Sequence, residues 1–453
     1  MLDTQSLKVL SQALEKLDSG FRNLPGFHAR QFDAERFAQV LSSTAEKLQN
    51  NFPYFHPLYA GQMLKPPHPV ARIAYALAMY INPNNHALDG GRATSALEKE
   101  AVEEIAAMFG WKQFLGHLCG GGTMANLEAL WVAGQIHPRK KVLANEQAHY
   151  THKRISGVLR LGFESVRCDE RGRMDLAALE SRAKKGNVGT VVATLGTTAT
   201  GSVDPLVEIL DLGKRYGFRV HVDTAYGGYF ALASNLAAPA KRAFENIPRA
   251  DSIVVDPHKH GLQPYGCGCV LFRDPGVGKL YKHESPYTYF SSAELHLGEI
   301  SLECSRPGAA AAALWATQRL LPLVRNGGFA KGLEAGREAA LQLYQRLLKD
   351  NRFAPVFEPE LDIVVFVPRE ESREKISARS RNIFDAAAKR DLHLAVAELP
   401  LRFWSNVAFG NTSSTETVTC LRSVLMKPEH LEWLDAIWDR LRKAYKDTES
   451  ALT

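Results

Sequence analysis

The chain has 453 residues, of which 45% are hydrophobic and 23% are charged, a composition typical of globular proteins and not of disordered or fibrous ones. This length exceeds a single ordinary core, so we expect two or three domains. The formal charge of +6 lies in short clusters such as Lys184-Lys185, which argues against nucleic acid or a membrane surface as a partner. The six cysteines lack metal-ligand spacing, so no metal site is expected.

Residues 1–85 are predicted to form an N-terminal helical segment. Apolar residues recur at helical spacing over residues 36–48 and 69–80. The N-terminal residues combine a helical apolar pattern with Asp, Lys and Glu, so they match neither a secretory signal nor a membrane anchor. A cytoplasmic location is the resulting expectation.

Residues 86–328 are predicted to form a large α/β domain. Ser95, followed by Glu98, has the pattern of a capping box and predicts the start of a helix over residues 96–109. Short apolar runs then alternate with helical patterns, which predicts a mostly parallel, doubly wound sheet. The predicted strands cover residues 114–118, 141–144, 190–195, 219–223, 252–256 and 268–272.

Residues 329–453 are predicted to form a separate small α+β domain. A long helix over residues 329–349 leads to strands near 363–367 and 417–425, and a last helix follows from Glu429. Ligands of open α/β sheets bind at the carboxyl ends of the strands. We therefore expect the functional residues in the large domain.

Lys259 and Asp223 are the strongest indication of chemistry. Lys259 ends the motif Asp256-Pro257-His258-Lys259, and Asp223 lies at the end of a predicted apolar strand. A lysine amine can hold pyridoxal phosphate (PLP) as a Schiff base, and a buried carboxylate can keep the pyridine nitrogen protonated. Taken singly, each could instead be a surface lysine or a salt-bridged structural carboxylate.

Three further features favour the PLP interpretation. Gly121, Gly122 and Thr123 lie between a predicted strand and a helix, where backbone N–H groups can bind phosphate, although such a turn also occurs without a ligand. His149 follows a strand and could stack on a flat ring. Thr198 lies in a loop that faces the same predicted crevice.

These motifs resemble the group II PLP-dependent amino acid decarboxylases of fold type I, the aspartate aminotransferase-like fold. The resemblance rests on residues 89–98, the glycine turn, and residues 147–149, 195–198, 221–226 and 256–259. It implies a mostly parallel seven-stranded-type sheet flanked by helices. It also implies a homodimer whose active site lies at the subunit interface.

The resemblance assigns roles to single residues. Lys259 would carry PLP, Asp223 would pair with the pyridine nitrogen and His149 would stack on the ring. The other cofactor-binding residues would be Gly121, Gly122, Thr123, Thr198, Ala225 and His258. Arg422 would meet the α-carboxylate of the substrate, and either Tyr289 or Tyr287 would return a proton to the substrate carbon.

The implied reaction is α-decarboxylation of an L-amino acid, aromatic or acidic, to the amine and CO2 through a Schiff base that replaces Lys259. The residues after the lysine, His260-Gly261-Leu262, resemble a lyase-like branch, so a carbon–carbon lyase or an aldehyde-forming enzyme remains open. A non-catalytic binding protein is the third alternative. Arg306, His260 and His296 are candidates to lie near an acidic substrate.

Overall fold

A computed structural model describes residues 4–26, 32–282, 296–404, 407 and 416–449. Within these ranges the strands are β1 Leu115–Cys119, β2 Lys141–Asn145, β3 Gly162–Val166, β4 Val188–Thr194, β5 Arg219–Asp223, β6 Ser252–Val255, β7 Gly268–Phe272, β8 Phe353–Pro355, β9 Ile363–Pro368, β10 Ala395–Pro400 and β11 Thr417–Val424. The α-helices are α1 Thr4–Ser19, α2 Ala34–Leu48, α3 Pro69–Met79, α4 Leu88–Met108, α5 Gly122–Ile136, α6 Thr151–Val158, α7 Leu176–Ala183, α8 Leu206–Tyr216, α9 Ala238–Glu245, α10 Gly278–Tyr281, α11 Gly308–Leu320, α12 Gly328–Lys349, α13 Arg373–Ala388 and α14 Leu434–Glu449.

Seven strands form one sheet in the order β1-β7-β6-β5-β4-β2-β3. The pairs from β6 to β3 are parallel, whereas β7 runs antiparallel to both of its neighbours. Strands such as β4 are buried along their whole length, as expected when helices cover both faces of a parallel sheet. The predicted α/β fold with a mostly parallel seven-stranded sheet is confirmed.

Strand β3 was not predicted from the sequence. It lies at the sheet edge beside β2, and only Val166 of its five residues is buried. An edge strand with exposed polar positions lacks the continuous apolar run that marks its neighbours. Within the seven-stranded sheet, burial on both faces therefore separates the predicted strands from β3. In the second sheet, β8 and β10 were also not predicted.

The capping box predicted at Ser95 is wrong. Helix α4 begins at Leu88 and has a kink at Gly91, so Ser95 and Glu98 both lie inside the helix and are buried. The Glu98 carboxylate accepts hydrogen bonds from the Leu118 amide (2.9 Å) and from the side chain of Asn85 (2.7 Å). Contacts with other elements, and not the capping of a helix N-terminus, thus account for the buried position of Glu98.

The second sheet has the order β10-β11-β9-β8 and is antiparallel throughout. Helices α12, α13 and α14 pack on it around a core that includes Leu343, Phe366 and Leu441. The loop before α3 joins this sheet, because the Ala60 amide donates to the His393 carbonyl at 2.9 Å. The division of the chain at residues 86 and 329 stays a prediction.

Neither α1 nor α2 contains a buried residue, and α1 lies against α3. Among the described residues, no helix combines the length and apolar character needed to cross a membrane.

Candidate active site

A cavity of about 460 Å³ opens where strands β4, β5 and β6 end. Parallel strands bring their carboxyl ends to one edge of the sheet, so loops that are distant in the chain meet there. The cavity is lined by these predicted residues: Gly121, Gly122, Thr123, His149, Thr198, Asp223, Ala225, His258 and Lys259. The structure therefore brings all of the predicted cofactor-binding residues to one place.

Lys259 reaches the cavity from the turn that follows β6. Its amide donates to the Asp256 carbonyl (2.9 Å), and its Nζ lies 3.0 Å from Oδ2 of Asp256, whose side chain is buried. A buried carboxylate needs such a cationic or hydrogen-bonding partner. The contact therefore holds the lysine amine inside the cavity, next to Asp223 on the neighbouring strand.

Asp223 is buried at the end of β5 and has three hydrogen-bond donors. Its Oδ2 accepts from His152 Nε2 at 2.8 Å and from the Asn126 amide nitrogen at 3.4 Å, and its Oδ1 accepts from the Ala225 amide at 3.0 Å. Burial alone would raise the pKa of this carboxyl, but the hydrogen bond and the charge of His152 outweigh burial and hold the pKa well below its usual range. Asp223 is therefore an anion in the cavity wall.

A hydrogen-bonded chain orients Asn126 behind Asp223. The ring of His221 lies between Ser252 Oγ and Asn126 Oδ1, at 2.8 Å from each. Burial lowers the pKa of His221 to about 3, so the ring is neutral. With the Asn126 oxygen bound to His221, its amide nitrogen faces Asp223.

The glycine turn forms a narrow cradle at the N-terminus of α5. Gly121 has φ 143°, a left-handed region that favours glycine. A Cβ atom on Gly122 would lie 2.7 Å from Oδ2 of Asp256, and one on Gly268 would lie 2.5 Å from the Gly121 Cα. The backbone therefore approaches its neighbours closely, and the first N–H groups of a helix are available to an anion.

His258 lies beside this cradle. Its Nδ1 is buried and has no hydrogen-bond partner in the described ranges, and burial lowers the pKa of its ring. Free helical N–H groups and an unpaired imidazole nitrogen match the acceptor oxygens of a phosphate. The cradle therefore fits the phosphate group of PLP.

His149 and Thr198 lie on the other walls. His149 Nδ1 is 2.8 Å from Thr151 Oγ1, which fixes the ring, and burial is the main cause that lowers its pKa. Thr198 is exposed in the cavity, whereas the neighbouring Thr197 is buried and bonds to Thr200 within the loop. Only the second of the two threonines is thus free to contact a ligand.

Arg422 lies outside the lining of this cavity in the part of the chain that the structure describes. It is buried on β11, where its Nη1 donates to Gln62 Oε1 at 3.1 Å, and its Nε and Nη2 have no partner among the residues that the structure describes. It is close enough to Tyr226, which lines the cavity, to influence the pKa of that phenol. Tyr287 and Tyr289 lie outside the described residues.

The three candidates for an acidic substrate have other surroundings. Arg306 pairs with buried Glu98 at 3.4 Å, and His260 packs edge-on against Tyr226 with ring centroids 4.7 Å apart. His296 is buried. These three do not line the cavity among the described residues.

Sequence reasoning missed His152, Asn126, Tyr226 and the role of Asp256. Asn126 lies one turn after Thr123 on α5, so it could have been inferred as a second residue on a functional helix face, whereas His152 lies three residues after His149, which precedes α6. Their contacts with Asp223 depend on how α5 and α6 dock on the sheet. The described residues contain no group of three side chains placed to hold a metal ion.

Comparison with known proteins points to one family. A family model described as "Pyridoxal-dependent decarboxylase conserved domain" matches residues 123–369. The L-tyrosine decarboxylase of Enterococcus faecium is 25% identical, over 87% of this chain and 85% of that protein. A probable L-tyrosine/L-aspartate decarboxylase of Methanothermobacter thermautotrophicus is 29% identical, over 68% of this chain and 82% of that protein. The structure of mouse CSAD has a TM-score of 0.79 at 20% identity, covers 98% of this chain and 99% of that one, and thus shares the fold.

Proposed function

The chain belongs to the pyridoxal-dependent decarboxylase family, and we propose that Lys259 and Asp223 are the residues through which it holds and activates its PLP. The protein is a PLP-dependent carboxy-lyase that removes CO2 from an amino acid. The observation that carries the residue assignment is that Lys259, anionic Asp223 and the glycine cradle line one cavity.

The cavity offers PLP a complementary residue at each of its groups. The cradle of Gly121, Gly122 and Thr123, with His258, would hold the phosphate, and Lys259 would bind the aldehyde carbon. His149 would lie against the ring, and Thr198 would stand near the substrate carboxylate. PLP, when bound, would supply an electron-withdrawing ring for the electron pair that stays on the substrate carbon when CO2 leaves.

Asp223 and Asp256 have different tasks in this proposal. Asp223, which His152 keeps ionised, would hold a proton at the pyridine nitrogen. Asp256 holds the amine of Lys259 at 3.0 Å and so positions it within the cavity. The chain's own residues thus orient the reacting groups and fix the location of charge.

For the substrate we propose L-tyrosine and L-aspartate as the first candidates. Relatives are named L-tyrosine decarboxylase and probable L-tyrosine/L-aspartate decarboxylase, which covers both the aromatic and the acidic class. Arg422, whose Nε and Nη2 have no partner in the described ranges and which acts on Tyr226, is the cation we propose for a substrate carboxylate. No observation favours the lyase or aldehyde-forming alternative.

The test is to load the protein with PLP, offer a panel of L-amino acids, and measure CO2, amines and aldehydes by mass spectrometry. We expect one amine, in equal amount to the CO2. The Lys259→Ala variant is the control, and borohydride should fix PLP to the wild type but not to this variant. Product formation by the variant at the wild-type rate would overturn the role of Lys259.

We also propose that the protein is a homodimer in which α1 and α2 pack on the second copy, with the catalytic cavity near the interface. On α2, Phe37, Val40 and Leu41 form one face and are each more than half exposed. A helix of this length is marginal without tertiary packing. An apolar face on a helix without buried residues is therefore suited to a partner surface.

Light scattering after size exclusion should give twice the chain mass of 50.1 kDa. Leu41→Glu should weaken the dimer, whereas Gln39→Glu places the same charge on the opposite side of α2 and should leave it intact. A monomer with full activity would contradict the proposal.

We finally propose a cytoplasmic location, because all six cysteines are unpaired.

A further inference from the structure

A second cavity, of about 250 Å³, lies between the loop before α3, the start of α12 and residues 427–429. It has no lining residue in common with the catalytic cavity. Its walls are mainly apolar and include Phe55, Leu262 and Phe329. Its volume is below the 300–1,000 Å³ or so of pockets for drug-sized ligands, so it can hold a small molecule.

Two lysine side chains line this apolar space, and backbone carbonyls accept the hydrogen bonds of their ammonium groups. Lys427 is only 3% exposed, and its Nζ donates to the Tyr59 carbonyl at 2.6 Å. The Nζ of Lys65 donates to the Met426 carbonyl at 3.3 Å. The carboxyl groups that act on these lysines are Asp362 and Glu429 for Lys65, and Glu429 for Lys427. An ammonium group has three donors, and leaving it buried without an anion is costly.

Burial of the two lysines also lowers their pKa values. Burial lowers the pKa of Lys65 to about 8 and that of Lys427 to about 7. Glu429 also lines the cavity, but its residue is exposed to solvent. His260 is 1% exposed, and its Nδ1 has no hydrogen-bond partner among the described residues. Among the residues that line the cavity, two lysines face one carboxylate, Glu429, while Asp362, the carboxyl that acts most strongly on Lys65, lies outside the lining.

We propose that this cavity binds a small organic monoanion, a carboxylate with an apolar body, whose carboxylate lies between Lys65 and Lys427. The apolar body would pack against Phe329 and Leu333. A free phosphate would satisfy the charges but would leave the apolar walls unfilled, so a carboxylate with a ring or branched chain fits both features.

The cavity is connected to the catalytic site through His260. This residue follows Lys259 in the chain, and its ring packs against Tyr226, which lines the catalytic cavity. A ligand in the second cavity would contact His260 directly. Binding in the second cavity does not depend on the identity of the reaction.

The test is a titration of 4-fluorobenzoate followed by fluorine NMR on the PLP-loaded protein. We expect saturable binding that Lys427→Met weakens about ten- to a hundredfold, because one charge-assisted hydrogen bond is lost. Lys331→Met is the matched control, since Lys331 is exposed on α12 beside the cavity and does not line it. This control should bind as the wild type does.

Benzoate could also enter the catalytic cavity, so the titration is repeated with His149→Phe. Loss of binding in this variant, with full binding in Lys427→Met, would place the ligand at the catalytic site and overturn the proposal. Equal affinity in Lys427→Met and Lys331→Met, or no saturable binding to the wild type, would also overturn it. Should circular dichroism show that Lys427→Met is unfolded, Lys65→Met serves in its place with the same expectation.

Discussion

Asp223 and Asp362 are both buried carboxyl groups near the catalytic cavity, but their surroundings shift their pKa values in opposite directions. Asp223, at the end of β5, accepts from His152 and from the Ala225 amide, and its pKa is lowered. Asp362, just before β9, accepts from the Tyr226 hydroxyl at 2.5 Å, and burial raises its pKa to about 6. Burial acts on both, so the donors decide the difference.

The two carboxyl groups therefore contribute to the catalytic site in different ways. An anionic carboxylate such as Asp223 can stabilise positive charge on a bound ring. A carboxyl group whose pKa is near neutrality, such as Asp362, carries less charge and mainly holds the hydroxyl of Tyr226, a residue of the cavity wall. The large sheet thus provides the electrostatics, and the small sheet helps to position the wall.

The largest effect is expected for Asp223→Asn, which removes the charge with little change in shape. We expect kcat to fall at least about a hundredfold, because loss of one such electrostatic contact costs about 3 kcal/mol of transition-state stabilisation. KM should change less than kcat. Steady-state release of CO2 from the PLP-loaded protein measures both parameters.

The PLP content of Asp223→Asn, measured by absorbance, is the control for cofactor loss. A variant that holds PLP in full and retains wild-type kcat would show that Asp223 has no catalytic role.

An intermediate effect is expected for His152→Phe, which removes the donor 2.8 Å from Asp223. His152 lowers the pKa of Asp223, so its removal raises that pKa and protonates Asp223 at a higher pH. The acid limb of the kcat/KM profile should therefore move to higher pH, and kcat should fall about tenfold. Steady-state kinetics across the acid range measures the shift.

The matched variant is His152→Gln, whose amide can still donate to Asp223. It should lie between the wild type and His152→Phe in both kcat and the position of the acid limb. An acid limb that stays in place in His152→Phe would show that Asp223 does not owe its ionisation to this histidine.

The sequence was sufficient to predict nine of the residues that line the catalytic cavity, although it did not indicate Asn126 or Tyr226. Strands β5 and β7 have the predicted bounds, because a continuous buried run between turns is a strong local pattern. Lys259, Asp223 and the glycine turn follow such runs, so their meeting at one sheet edge follows from topology.

Contacts between separate elements could not be predicted from local sequence patterns. The hydrogen bond of His152 to Asp223 depends on the docking of α6, and the surroundings of Lys427 depend on a loop 368 residues earlier in the chain. The predicted capping box at Ser95 failed for the same reason, since Glu98 has partners from β1 and from the loop before α4.

The smallest effect on activity is expected for Asp362→Asn, which should keep kcat within about threefold because an amide oxygen can still accept from Tyr226. Its effect on stability should depend on pH. The pKa of Asp362 is about 6 in the folded protein and about 4 when unfolded, so the folded state binds the extra proton between these values. Wild-type stability should therefore fall, relative to the variant, as pH rises from about 4 to 6.

The measurement is the difference between the thermal unfolding midpoints of Asp362→Asn and the wild type at pH 4.5 and pH 7. The change in this difference between the two pH values should be at most about 3 kcal/mol in the free energy of unfolding, since one pKa unit corresponds to about 1.4 kcal/mol. Burial also raises the pKa of Asp204 to about 6, but Asp204 titrates in both proteins and cancels from the difference. A difference that is the same at both pH values would mean that Asp362 is ionised throughout, as Asp223 is, and would remove the contrast between the two carboxyl groups.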